Sequence, residues 1–287
     1  MLNRRQLGAL LALGASGAGL ARAAAATPRV ISVGGALTEI VYALGAERLL
    51  VGVDSTSSYP AAARALPDVG YQRTLSAEGL LSLAPTLILA TEDAGPPPVL
   101  RQLELARVPL HILRAEHRFE GLLARSTRIG ELLGRPAEAR ALNQRLDAQW
   151  QAGQRQVQQL AQSAARQPQV LFVLAHSMAQ LRIAGQGTAA DAMLGYAGVR
   201  NVMGGINGYR QLTPEAVIAA APEIILTTRE GLDAAGGIEP LLQVPGLAQT
   251  PAGRARRVVA FDALELLGFG PRLPALLPRL AQALHRA

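Results

Sequence analysis

The stretch VISVGGALTEIVYALGAERLLVGV, from Val30 to Val53, opens on a continuous apolar run and breaks at a pair of glycines. It resumes with apolar residues at helical spacing, stops at Gly45 and returns to an apolar run. That order predicts strand, turn, helix and strand. Leu75–Thr91, LSAEGLLSLAPTLILAT, adds a short helix, a proline that ends it, and another buried strand, TLILAT. Leu212–Thr228, LTPEAVIAAAPEIILTT, repeats this piece: Glu78 aligns with Glu215, Ala84-Pro85 with Ala221-Pro222, and Thr91 with Thr228. Each copy opens on a hydroxyl at the helix N-cap position, Ser76 or Thr213, with an acid in the first turn.

A second echo precedes each copy. VLFVLAHSMAQLRIAGQGTAADAMLGYAGVRNVMGG, beginning at Val170, has the order of the Val30 stretch with a longer first loop. Strands alternating with helices predict parallel sheets, and two echoes at similar offsets predict two α/β lobes of like design. Between them, Arg135–Pro168 has no proline between Pro136 and Pro168 and a partial apolar stripe at Leu142, Leu146, Trp150, Val157 and Leu160. This predicts one long helix, a rigid strut of about 45 Å at roughly 1.5 Å per residue. The expected organisation is therefore a leader at 1–26, an N-terminal lobe at 27–135, a linking helix at 136–167 and a C-terminal lobe at 168–287. The fold class is α/β, two lobes with parallel central sheets joined by one backbone helix, and the ligand cleft lies between the lobes.

Composition refines this picture. The 287 residues suffice for two lobes with proper cores, built mainly from Leu, Ala and Val because only 3% are aromatic. All 28 basic residues are Arg, spread without a block of five, which fits compositional drift better than nucleic-acid binding. MLNRR, the Ala- and Gly-rich apolar stretch after it and the small residues of ARAAAA read as an export signal, with a faint twin-arginine character at Arg4-Arg5. Cleavage near Ala26 removes three Arg and no acid, lowering the formal net charge from +7 to +4. The absence of Cys excludes disulfides, thiol catalysis and a lipid-modified Cys. A monomer of the bacterial periplasm is the expectation.

No Walker motif, GxSxG elbow or HExxH is present, GQGTAADA lacks the GxGxxG pattern, and the His111–Glu120 region matches no zinc spacing. An exported enzyme would need a nucleophile–base pair or a metal triad, and neither is visible.

The remaining chemistry is concentrated in GYQRTLSAEGLLSL, where Tyr71 and Arg73 sit on a turn just before a helix, and in AGQGTAADAMLGYAGVRN. With export and two lobes on one helix, these stretches resemble the substrate-binding proteins of ABC importers, in the helical-backbone class that handles vitamin B12, siderophores and haem. Within it the two motifs are similar to the haem-binding branch. The resemblance covers essentially the whole mature chain. It implies a protein that captures ferric haem (hemin) in the cleft and hands it to a membrane permease and its ATPase, with an outer-membrane haem receptor upstream.

On that resemblance Tyr71 supplies a phenolate to ferric iron, a hard anionic oxygen suited to it. Arg73 either favours the phenolate or pairs with a haem propionate. For the opposite face of the haem, His176 stands as sixth ligand, propionate contact or plain loop residue, and Met178 as a packing contact. Arg229 is a candidate propionate partner. Tyr209 and Arg210, in GINGYRQLTPE, mirror the Tyr71–Arg73 turn and are expected to line the cleft from the C-lobe, with Tyr59 a lesser candidate. Glu78 and Glu215 are either plain helix-start acids or the surface pair that docks on the permease. A siderophore or corrinoid ligand is the alternative within the class.

Overall fold

A computed structural model describes residues 27–175 and 180–286. The expected leader at 1–26 lies outside the described residues.

The N-lobe and strut comprise β1 (Val30–Val33), α1 (Gly35–Ala43), β2 (Leu50–Val53), α2 (Ala77–Ser82), β3 (Leu87–Ala90), α3 (Pro97–Leu105), β4 (Leu110–Ile112), α4 (Phe119–Leu132) and α5 (Pro136–Ser163). The C-lobe follows with β5 (Gln169–Ala175), β6 (Leu181–Ala184), α6 (Ala189–Tyr196), β7 (Arg200–Asn201), β8 (Tyr209–Gln211), α7 (Pro214–Ala220) and β9 (Ile224–Thr228). It ends with α8 (Arg229–Ala234), α9 (Ile238–Leu242), α10 (Pro251–Ala255), β10 (Val258–Phe261), α11 (Ala263–Leu267) and α12 (Leu273–Arg286).

The N-lobe sheet runs β2-β1-β3-β4 and is parallel throughout. Its strands β1 and β3 are buried along their whole length, as both faces of a parallel sheet are covered. The C-lobe sheet runs β10-β9-β5-β6-β8, with β7 paired to β5. Its core pairs β10–β9 and β9–β5 are parallel as expected, but β5–β6 and β6–β8 are antiparallel. The longer first loop of the second echo thus contains an extra strand, LRIA, which turns back along β5 and gives the sheet an antiparallel edge.

The repeat is visible down to the backbone. Ala84 and Ala221 hold φ of 43° and 45° at the helix ends just before Pro85 and Pro222. A left-handed alanine costs about 1–2 kcal/mol, and the same cost recurs at the same place in both lobes. The helix starts differ. Ser76 accepts from the Gly79 backbone N–H, whereas Thr213 makes no such bond and Pro214 follows it at the first helical position.

α5 is one helix of 28 residues, ending at Ser163. It buries Ala139, Leu142, Leu146, Trp150, Gly153 and Val157 along one face. Trp150 stacks on Phe119 of α4 (centroids 4.6 Å apart, planes 6° apart) and meets Tyr196 of α6 edge-on at 4.8 Å. The Phe119 backbone N–H donates to the Tyr196 hydroxyl at 3.1 Å. One tryptophan therefore joins rings from both lobes, each such pair adding about 0.5–1.5 kcal/mol beyond its buried area. A single apolar cluster runs from Val30 and Leu37 in the N-lobe through α5 to Phe172 and Leu277 in the C-lobe side.

The segment from Asp262 to Leu273 adds a second junction. Arg125 of α4, almost wholly buried, donates to the carbonyls of Gly268 (3.3 Å) and Phe269. Burial pulls Arg125 down to about 10, so it stays charged at neutral pH. Arg272 donates through Nε and Nη2 to the carboxylate of Glu39 on α1, at 2.7–3.2 Å, and through Nη2 to Asp262 at 3.3 Å.

Candidate functional site

The C-terminal ends of the N-lobe strands lead into three loops. After β1, Gly34 turns at φ 116° into α1, and its N–H donates to Asp54 at 2.8 Å. Asp54, buried after β2, also accepts from the Thr56 backbone N–H, the Thr56 hydroxyl and the Ser57 hydroxyl. Four donors around one carboxylate fix the 54–58 loop, so Asp54 organises the backbone here. The Ser55 N–H then donates to the Gly70 carbonyl, tying this loop to the residue before Tyr71.

Gly70 takes φ 90°, a conformation that other residues rarely adopt, and turns the chain outward. Tyr71 follows with 40% of its surface exposed. The turn closes with the Thr74 N–H donating to the Tyr71 carbonyl at 2.8 Å, and Ser76 then starts α2. Arg73 donates from Nη2 to Asp93 Oδ2 at 2.8 Å, with Asp93 on the loop after β3. Tyr71 and Tyr209 both lie within electrostatic reach of the Arg73 guanidinium.

Tyr209 reaches that place by an unexpected route. The mirrored turn is a strand: β8 pairs with β6 in the register Ala184–Tyr209 and Ile183–Arg210. Alternation along a strand sends Tyr209 and Arg210 to opposite faces. The Tyr209 hydroxyl lies by Thr188 and Ala190 at the start of α6, and burial raises its pKa. Arg210 is exposed on the other face. Arg229 is the exposed first residue of α8, after β9, with Thr228 capping that helix. Tyr59 is 47% exposed and lies under the Arg272 guanidinium, whose carbon is 4.2 Å from the ring centroid. Arg272 is thus held by Glu39 and Asp262 beneath an aromatic face, and sequence patterning pointed to neither Arg272 nor Glu39. Glu78 and Glu215 are both exposed in the first turns of α2 and α7. His176 and Met178 lie outside the described residues. His111 is a residue of β4, as its apolar neighbours suggested, and among the described residues no cluster of His, Cys, Asp and Glu is arranged to hold a metal ion.

Two α/β lobes on one long helix, with an exposed phenol on a loop at the strand ends of the first, define a two-lobed binding protein. The sequence model of the family described as periplasmic binding protein matches residues 30–264, and the chain belongs to that family. Among solved structures, the periplasmic heme-binding protein BhuT in complex with two hemes is 48% identical, with a TM-score of 0.84, covering 90% of this chain and 98% of that one. The periplasmic heme-binding protein RhuT from Roseiflexus sp. RS-1 in apo form is 40% identical, with a TM-score of 0.86, covering 91% and 98%. The vitamin B12-binding protein of Pectobacterium carotovorum is 38% identical over 98 residues, about a third of each chain.

Proposed function

We propose that this chain captures ferric haem between its lobes and delivers it to the permease and ATPase of an ABC importer, as a binding protein and not an enzyme. The observation that carries the reading is the Tyr71 phenol, exposed on the turn after Gly70 and set two residues from Arg73. A phenolate binds ferric iron directly, and a nearby guanidinium favours the anionic oxygen or takes a propionate. Likeness along nearly the whole chain to two heme-binding proteins supports the same ligand. The likeness to a vitamin B12-binding protein covers one third of the chain and supports the family more than the ligand. Residues 1–26 act in this reading as a cleaved export signal, and a chain without Cys has no thiol for a lipid anchor. Arg229 and the loop holding His176 and Met178 supply the C-lobe side of the cleft. Glu78 and Glu215 dock the two lobe tips on the permease, and the protein works as a monomer that receives haem from an outer-membrane receptor.

The test is an absorption titration of the purified mature chain with hemin, cyanocobalamin and a ferric siderophore. Hemin alone should give a saturable ferric high-spin spectrum with phenolate character. Saturation by cyanocobalamin or the siderophore in its place would replace the haem reading with the other ligand of the class.

A further inference from the structure

Arg73 is already engaged before any ligand arrives, by the carboxylate of Asp93 at 2.8 Å. The loop that carries Asp93 is fastened to the Tyr71 turn at three points. The Gly95 N–H donates to the Gln72 carbonyl at 2.8 Å, the Leu75 N–H to the Gly95 carbonyl at 2.8 Å, and the Thr91 hydroxyl to the Gln72 side-chain oxygen at 3.1 Å. Asp93 is therefore presented to the guanidinium by a fixed frame, and little side-chain freedom is lost in forming the pair. Both side chains remain about half exposed, with 54% and 52% of their surfaces open. An acid brought by a ligand meets a cation whose partner is in place.

We propose that Asp93 is a specificity-setting residue that acts through Arg73: it aims the guanidinium into the cleft and competes for it with the acid groups of the ligand. The proposal rests on the haem reading in one respect, that haem carries two propionates. A free carboxylate gains nothing by exchanging places with Asp93, which is tethered and always present. A ligand fixed by another bond, such as one from iron to Tyr71, holds its own acid at the guanidinium and wins the exchange. Asp93 thus screens out small anions and weakens the grip on haem at the same time, which eases release to the next protein.

The test compares Asp93→Asn with the unaltered chain, using hemin and hemin dimethyl ester at near-physiological salt, where screening acts over about 8 Å. Glu92→Gln is the charge control. It removes one negative charge from the same loop, and its carboxylate bonds the Ala115 N–H in place of Arg73. Exposed ion pairs are weak, so Asp93→Asn should bind hemin about two- to fivefold more tightly, with the diester unchanged and Glu92→Gln like the unaltered chain. Equal changes for hemin and the diester, no change for either, or the same gain in Glu92→Gln would overturn the proposal. A second measurement needs no haem: propionate ion is titrated against the ligand-free chains while the Arg73 Nε–Hε resonance is followed, assigned by its loss in Arg73→Lys. That resonance should move with propionate in Asp93→Asn and stay in place in the unaltered chain, and identical behaviour in both would sink the competitor role. Failure of the unaltered chain to bind hemin would overturn the haem reading and leave the propionate result to decide the role of Asp93.

Discussion

Tyr71 and Tyr209 stand within one position of each other in the two halves of the repeat, each within two residues of an arginine and each just before the repeated helix. At Tyr71 the chain turns on a left-handed glycine and no strand takes it up among the described residues, so the phenol is left exposed. At Tyr209 the added strand β6 recruits the corresponding stretch as its edge partner, which splits tyrosine and arginine between two faces and half-buries the phenol by the start of α6. An aromatic–cation pair in a sequence becomes a ligand site only where the backbone leaves its polar atoms unsatisfied. The repeat holds two such pairs, and in the proposed reading the extra strand leaves only the first of them free for a ligand.

The largest effect expected from breaking this asymmetry is on iron ligation. Tyr71→Phe should lower hemin affinity by about a hundredfold, on the order of 3 kcal/mol, and remove the phenolate spectrum, while Tyr209→Phe keeps that spectrum. A normal spectrum in Tyr71→Phe would hand the ligand role to another residue.

Next comes the lobe junction. Burial pushes Glu39 up to about 7 from an ordinary 4.5, against the pull of Arg272. Between these values the folded chain holds a proton that the unfolded chain has lost. Its contribution to stability therefore grows as pH falls from about 8 to about 5 and is lost as pH rises through about 7. Relative to Glu39→Gln, the unaltered chain should gain on the order of 2 kcal/mol across that window in urea unfolding. A constant difference would mean that the pair with Arg272 keeps Glu39 ionised throughout.

A smaller effect inverts the first comparison. Tyr209→Phe should destabilise the fold by about 1 kcal/mol through the loss of a partly buried hydroxyl beside the start of α6. Tyr71→Phe, exposed and bonded to nothing recorded in the described residues, should stay within about 0.5 kcal/mol in the same unfolding assay.

The smallest effect on binding belongs to the repeated acids. Glu78→Arg with Glu215→Arg should leave the hemin titration unchanged yet abolish stimulation of ATP hydrolysis by the cognate transporter in proteoliposomes, since like charges at a docking rim repel. Loss of hemin binding would place these acids in the cleft instead.

Much of the architecture was legible because it is written in local pattern: continuous apolar runs at both β1 and β9, the proline stops at Pro85 and Pro222, and the apolar stripe of α5. Tyr71 and Arg73 were legible because they lie two residues apart on a turn. What escaped notice depends on distant partners. β6 and β8 are four and three residues long, and the Tyr209–Gln211 stretch has no periodicity that announces a strand. Glu39 sits in an apolar helix, GALTEIVYA, and its partner lies 233 residues away, so no window of sequence holds both. Asp93 is likewise an unremarked loop acid until the backbone brings it to Arg73.

The bond from Arg272 to Glu39 has a consequence for how the molecule comes into being. Glu39 belongs to the second element of the chain, and Arg272 to its last sixteen residues. A polypeptide that emerges N-terminus first makes α1 early but has no Arg272 for that carboxylate until another 233 residues have followed, and Arg125 waits likewise for the Phe269 carbonyl. The first half is therefore completed by the segment just before the last described helix. Truncation before Gly268 should weaken the N-lobe as well as the C-lobe.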